Sequence, residues 1–83
     1  MGDLSDKGLA IFAFAAYHQL ESGQAVTKVI REDGKGHKAD PEGVSELEGL
    51  GLAKAEGNDI VFTEAGLAAL AKGVDGLRAA ARG

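Results

Sequence analysis

The sequence predicts a small α+β domain that is mostly α-helical, with three helices, a two-stranded hairpin and a C-terminal helix. Three observations predict it. Apolar residues recur at helical spacing over residues 6–21, Gly57-Asn58 separates two short strand-like runs, and Thr63 precedes a second apolar helical stripe. A length of 83 residues suits one core, so we expect residues 1–83 to form a single domain.

The first helix is predicted to run from about Asp6 to Glu21, with Ser5 or Asp3 as its N-cap and Gly23 beyond its end. One apolar stripe is expected to face the core, formed by Leu9, Phe12, Ala13, Ala16 and Leu20. Other apolar residues lie off this stripe, namely Ile11, Phe14 and Tyr17. They predict either burial on two sides of the helix or contact with a partner, such as a homodimer formed through this helix or the last one.

Residues 22–31 give two conflicting signals. Their β-branched residues favour a strand. Their apolar residues, Ala25, Val26, Val29 and Ile30, share one helical face, whereas strand alternation would put Lys28 on the same side as Val26 and Ile30. We predict a second helix, capped by Ser22 and ending near Glu32, with the strand as the alternative.

The next segment has the composition of a loop and then of a helix start. Residues 33–39 contain two glycines, and Asp40-Pro41 supplies a capping carboxylate and a proline at the first helical position. A third helix should follow, ended by Gly49 and Gly51, with Val44, Leu47 and Leu50 facing inward.

The last third of the chain should contain the hairpin and the C-terminal helix. Residues 52–56 are predicted to pair with 59–62 across Gly57-Asn58. Thr63 should cap the final helix, whose inward stripe is Leu67, Leu70, Val74 and Leu77.

This order of elements resembles the second half of a winged helix-turn-helix domain, with a wing and last-helix pattern like that of MarR and PadR proteins. The matching residues are Leu47, Leu50, Gly51, Leu52, Gly57, Phe62, Thr63, Glu64, Ala65 and Gly66. The resemblance covers about a third of the chain. It implies a DNA-binding domain of the regulator type, in which helices two and three with their linking loop take the place of the helix-turn-helix.

If the resemblance holds, cations and polar groups near these helices are the expected contacts to double-stranded DNA. The candidate nucleic-acid-binding residues are Lys28, Arg31, Lys35, His37, Lys38, Ser45 and Lys54.

The charge of the chain opposes this function. Its net charge is −4, whereas nucleic-acid binders gain most of their affinity from Lys and Arg. The third helix carries Glu42, Glu46 and Glu48 and no cation. The alternative is therefore a winged-helix domain that binds a protein through the acidic third helix or the C-terminal helix. Its candidate contact residues are Glu42, Glu46, Phe14 and Tyr17.

Other functions are not expected. The chain has no cysteine, and His37 beside Asp33 and Asp40 is a poor set of metal ligands. Gly34-Lys35-Gly36 lacks the spacing of a phosphate-binding loop. No nucleophile has a base placed by a motif, so we expect neither catalysis nor a cofactor. No segment predicts a membrane span, so a cytoplasmic location is expected.

Overall fold

The computed structural model describes residues 4–32, 34–36 and 38–82. In this part of the chain, three helices pack on one face of an antiparallel three-stranded sheet. In chain order they are α1 (Asp6–Ser22), β1 (Lys28–Ile30), α2 (Pro41–Gly49), β2 (Ala53–Glu56), β3 (Asp59–Phe62) and α3 (Glu64–Arg82). The fold is therefore a small α+β domain, mostly α, as predicted.

The helices begin and end close to the predicted capping residues. Ser5 is at the N-cap position of α1, although its side chain makes no capping hydrogen bond, and Gly23 ends the helix in a left-handed conformation with φ 74°. The Asp40 side chain accepts a hydrogen bond from the Glu42 amide at the start of α2. Thr63 Oγ1 accepts from the Gly66 amide at 3.1 Å, which caps α3.

The predicted second helix is wrong, because β1 stands in its place. β1 pairs with β3, so the sheet order is β1-β3-β2, and Val29 lies opposite Ile60. Val29 is buried while its neighbours Lys28 and Ile30 are exposed. The strand therefore buries Val29 and exposes Lys28 and Ile30, whereas the sequence pattern had placed Lys28 on the buried side with Val26 and Ile30. The tandem pair of helices that a helix-turn-helix requires is consequently not formed over residues 22–32.

The predicted hairpin is confirmed. β2 and β3 pair in the expected register, with Ala53 opposite Phe62 and Glu56 opposite Asp59. Gly57 makes the turn with φ 60°. A further antiparallel bridge joins Glu32 to Lys38 in the segment between β1 and α2.

The core lies where α1, α2, α3 and the inner face of the sheet meet. Its buried residues are Ile11, Ala15, Ala16, Val29, Ala39, Val44, Leu47, Leu52, Ala53, Ile60, Phe62, Leu70 and Val74. The rings of Phe12 and Phe62 stack beside it, with their centroids 5.3 Å apart.

Part of the predicted core is wrong. In the predicted stripe of α1, Leu9 and Leu20 are about half exposed and Ala13 is exposed. The off-stripe Ile11 is buried, which agrees with burial on two sides of the helix, and Gly8 lies against Glu46 of α2. Leu50, which follows α2, and Leu77, which lies beyond the last buried residue of α3, were also predicted to face inward and are 38% and 54% exposed. No helix in the described residues is both long and apolar enough to cross a membrane.

Candidate nucleic-acid interface

The sheet has one face on the core and one in solvent. Ile60 and Phe62 of β3 point inward, so Asp59 and Val61 point outward. Directly opposite residues on paired antiparallel strands share a face. The register places Lys28 of β1 and Lys54 of β2 opposite Val61, one on each side. These three side chains form one row on the outward face.

A second row on the same face carries the opposite charge. It contains Asp59 at its centre, between Ile30 of β1 and Glu56 of β2. Ile30 is 48% exposed. Lys28 Nζ lies 3.4 Å from Asp59 Oδ2, and both side chains are open to water, so this ion pair contributes little to stability. We call the two rows together the outward sheet face.

Lys54 differs from Lys28 in having no ion-pair partner among the described residues. Among the described residues its side chain makes no hydrogen bond and no ion pair, and it is exposed. Lys28 and Lys54 lie on opposite sides of Val61, so their two ammonium groups flank its small apolar surface. The Cα atoms of the two lysines are separated by two interstrand spacings, roughly 10 Å.

The tip of the hairpin is tied to the strand beside it. The Asn58 side chain donates a hydrogen bond to the Glu32 carbonyl at 2.7 Å, and the Asn58 carbonyl accepts one from the Arg31 amide at 2.7 Å. The turn of the hairpin and the end of β1 therefore form one connected edge. The Arg31 side chain is half-buried at this edge.

The predicted loop cations lie elsewhere. Lys38 lines a hollow of about 660 Å³ between α1 and the segment before α2, together with Lys7, Ile11, Phe14 and Asp40. Lys35 is exposed within residues 34–36. His37 lies outside the described residues.

The acidic side chains of α2 are held by bonds within the chain. Glu42 Oε2 accepts a hydrogen bond from Lys7 Nζ at 2.9 Å, and Glu46 Oε1 accepts one from the Ser5 amide at 3.0 Å. Glu48 Oε2 accepts from the Ala55 amide at 3.4 Å. Two of the three glutamates therefore fasten α2 to the start of α1.

Lys7 is the centre of the resulting charge cluster. Its hydrogen bond to Glu42, together with the charges of Asp40 and Glu42, raises the pKa of the Lys7 ammonium above its ordinary value of 10.5. Lys7 also lies 3.7 Å from Asp40 Oδ2. This cation was not among the predicted contact residues; its position in the first turn of α1 gave no sequence signal of an approach to α2.

The predicted nucleic-acid set does not form one surface in the structure. Lys28 and Lys54 share the outward sheet face, and Lys38 faces the hollow beside α1. Ser45 is exposed on α2 beside Glu42 and Glu46. Arg31 lies at the end of β1 beside the hairpin turn, and Lys35 lies within residues 34–36, so the described part of the set is divided among five places.

The residues predicted for protein binding are also separated. Glu42 and Glu46 serve the α1–α2 contact. Phe14 is half-buried, with its ring 4.4 Å from that of His18 in an edge-to-face arrangement. Tyr17 is 60% exposed. The large apolar residues that were predicted to face the core and are exposed are Leu9, Leu20, Leu50 and Leu77. The helical spacing of apolar residues does not indicate where packing against other elements stops.

Buried polar side chains and clusters of metal ligands are absent from the described residues. No polar or charged side chain is buried there, and no three His, Asp or Glu side chains are grouped as metal ligands. No protein-family model, curated protein or solved structure matches this chain.

Proposed function

We propose that this domain binds double-stranded DNA through the outward sheet face, without a helix-turn-helix. The observation that carries the proposal is the row in which Lys28 and Lys54 flank Val61. Ammonium groups on a solvent-exposed sheet are suited to phosphate oxygens, and sheets and two-stranded ribbons are established DNA-reading elements.

The hydrogen bonds made by glutamates of α2 reduce the repulsion expected between that helix and DNA. Glu42 is partly neutralised by Lys7, and Glu46 is directed to the Ser5 amide of α1. Two of the three acidic groups of α2 thus belong to its contact with α1, whereas Lys28 and Lys54 lie on the sheet beside the row of Asp59 and Glu56. The net charge of −4 still limits affinity, so we expect weak binding that weakens further as the salt concentration is raised.

The expected salt dependence can be calculated from the number of phosphates contacted. Two contacts, from Lys28 and Lys54, give a slope of log K against log salt of about −1.8. Sequence preference should be slight, because phosphate contacts carry no base information.

The test is titration of fluorescent duplex DNA at several salt concentrations, with the wild type and two alanine variants. Lys54→Ala should weaken binding about equally on all duplexes and flatten the slope by about 0.9. Lys72→Ala is the matched control, since Lys72 is exposed on α3 away from the sheet. Amide shifts on the wild type should concentrate at residues 28, 54 and 61. An absence of duplex binding at low salt, or equal effects of the two variants, would defeat the proposal.

Protein binding is the second candidate function. It is favoured by the exposure of Leu9 on α1 and Leu77 on α3, which are 51% and 54% exposed on neighbouring helices. Exposed apolar residues grouped on one surface are typical of interaction sites.

A further inference from the structure

The last helix continues well beyond the core. Val74 is the final buried residue of α3, and every residue from 75 to 82 is exposed. We call residues 75–82 the α3 end. Leu77 continues the apolar stripe of Leu70 and Val74 into this segment, where it is 54% exposed. Short helical segments depend on tertiary packing for most of their stability, and the fold buries no residue of the α3 end.

Two glycines weaken the same part of the helix. Gly73 and Gly76 lie inside α3, where glycine is less favourable than alanine because it loses more backbone entropy. A Cβ atom at either position would meet nothing within 4 Å, so the packing of this domain does not require glycine there. Their absent side chains leave α3 open to close approach from outside.

A narrow apolar cleft of about 190 Å³ lies between α1 and α3. It is lined by Phe12 and Leu70, by the small residues Ala13, Ala16, Ala69 and Gly73, and by the half-exposed Leu9 and Leu77. We call it the α1–α3 cleft. Leu9 and Leu77 are both about half exposed, so the cleft and the α3 end form one continuous apolar surface.

Charge is distributed unevenly between this helix end and the rest of the chain. The α3 end contains two of the nine Lys and Arg residues and one of the thirteen Asp and Glu residues, a net charge of +1. Within it Arg78 lies 3.6 Å from Asp75, whereas Arg82 makes no such pair among the described residues. Residues 1–74 carry a net charge of −5. α1 contributes the exposed anions Asp6 and Glu21 to this acidic body. The α3 end is thus complementary in charge to the body of another molecule of the same chain.

We infer that the α3 end and the α1–α3 cleft form a self-association surface whose occupant is a second copy of this chain. In a two-fold dimer each molecule offers the same surface, so each α3 end packs along the partner's cleft. Leu77 then contacts small residues that leave room for it, and Arg78 and Arg82 lie within reach of the exposed carboxylates of α1.

The surface required is modest. A stable interface buries roughly 800 Å² on each partner, or about 15% of the 5408 Å² accessible surface of the described chain. The inference is independent of DNA binding, because α3 and the outward sheet face are different surfaces and the test uses no nucleic acid.

The test is sedimentation equilibrium of the full chain over a wide concentration range. We expect twice the monomer mass of 8.5 kDa at high concentration. Leu77→Glu should weaken the dimer at least tenfold, because it places a charge in the apolar contact. Ile30→Glu is the matched control, since Ile30 is similarly exposed but lies on the sheet, and it should leave the dissociation constant within twofold of the wild type.

A second pair of measurements separates loss of the dimer from loss of the fold. Gly73→Ala should raise the helix content of dilute protein, where the chain is monomeric, while weakening the dimer several-fold by narrowing the cleft. Arg78→Glu with Arg82→Glu should weaken the dimer and reduce its salt dependence. A chain that remains monomeric at the highest concentration, or a dimer unaffected by Leu77→Glu, would overturn the inference.

Discussion

The α-carbon of Gly66 lies against the carbonyl oxygen of Leu52, so closely that a side chain at residue 66 would collide with it. The same carbonyl accepts a hydrogen bond from the Thr63 amide at 3.0 Å, which fixes the start of α3 beside the strand that follows α2. Gly66 therefore sets the distance between α3 and the backbone at residue 52. The glycine in the Thr-Glu-Ala-Gly run has a packing role in this fold.

Gly66→Ala should destabilise the domain by at least about 2 kcal/mol, because the added methyl group meets backbone atoms that cannot turn aside. Urea unfolding followed by circular dichroism measures the change. Gly49→Ala is the control: this helical glycine has no atom within 4 Å of its would-be Cβ. It should leave stability unchanged or raise it by up to about 1 kcal/mol. Equal losses in the two variants would contradict the role given to Gly66.

A second pair of glycines tests the crossing of α1 and α2. A Cβ at Gly43 would lie 2.6 Å from the Lys7 carbonyl oxygen, and one at Gly8 would lie 2.7 Å from Glu46 Oε1. The first neighbour is backbone, whereas the second is the end of a movable side chain. Gly43→Ala should therefore cost about 1–3 kcal/mol, and Gly8→Ala should cost less. Thermal unfolding of both variants measures which substitution costs more stability. A larger loss for Gly8→Ala than for Gly43→Ala would refute this prediction.

The sequence predicted the element ends well and the buried faces poorly. Asp40, Gly57 and Thr63 were assigned correctly because caps and turns depend on chemistry within a few residues. Which face of α1 is buried depends on where α2 and α3 pack. Ile11 is therefore buried in the core and Leu9 is not, although the sequence pattern of apolar residues along α1 includes both.

The strand β1 shows the same limit more clearly. Its stability comes from pairing with β3, which lies about thirty residues later, as in the pair of Val29 and Ile60. A three-residue strand offers too little alternation to outweigh a helical pattern in its surroundings. The candidate site could not be predicted for the same reason. Lys28 and Lys54 come into one row only when residue 28 lies on a strand.

The pairing of Lys7 with Glu42 and Asp40 should make stability depend on pH. The pKa of Lys7 is higher in the folded chain than in the unfolded chain, so the charged form stabilises the fold. This contribution is complete below pH 10.5 and is lost as pH rises through the folded pKa above it. Lys7→Met should consequently lower stability at neutral pH, and the difference from the wild type should shrink above pH 10.5.

Urea unfolding of the wild type and Lys7→Met from pH 7 to pH 11.5 measures this difference. The same comparison in a Glu42→Gln background should give a smaller effect at pH 7, since Glu42 is the main source of the shift. Lys72→Met, at an exposed position on α3, serves as the control for removal of a lysine charge. A difference that stays constant through the alkaline range would show that the pairing does not stabilise the fold.

Glu46 should act as the capping group of α1. The Ser5 side chain makes no capping hydrogen bond, and the Ser5 amide donates instead to Glu46 Oε1 across the helix crossing. A carboxylate at the amino end of a helix satisfies a free amide and interacts favourably with the helix dipole. Glu46→Ala removes both effects and should cost about 1 kcal/mol. Glu46→Gln keeps an acceptor oxygen and should cost less.

The control for Glu46 is Glu56→Ala, which removes an exposed glutamate of the outward sheet face that makes no side-chain hydrogen bond among the described residues. It should leave stability within about 0.5 kcal/mol of the wild type.

The same two variants also test DNA binding separately from stability. Glu56→Ala removes a negative charge beside the row of Lys28 and Lys54, and should strengthen duplex binding at low salt. Glu46→Ala removes one near α1 and should strengthen it less. If Glu46→Ala leaves stability unchanged while Glu56→Ala lowers it, the assignment of Glu46 to the α1 terminus is wrong.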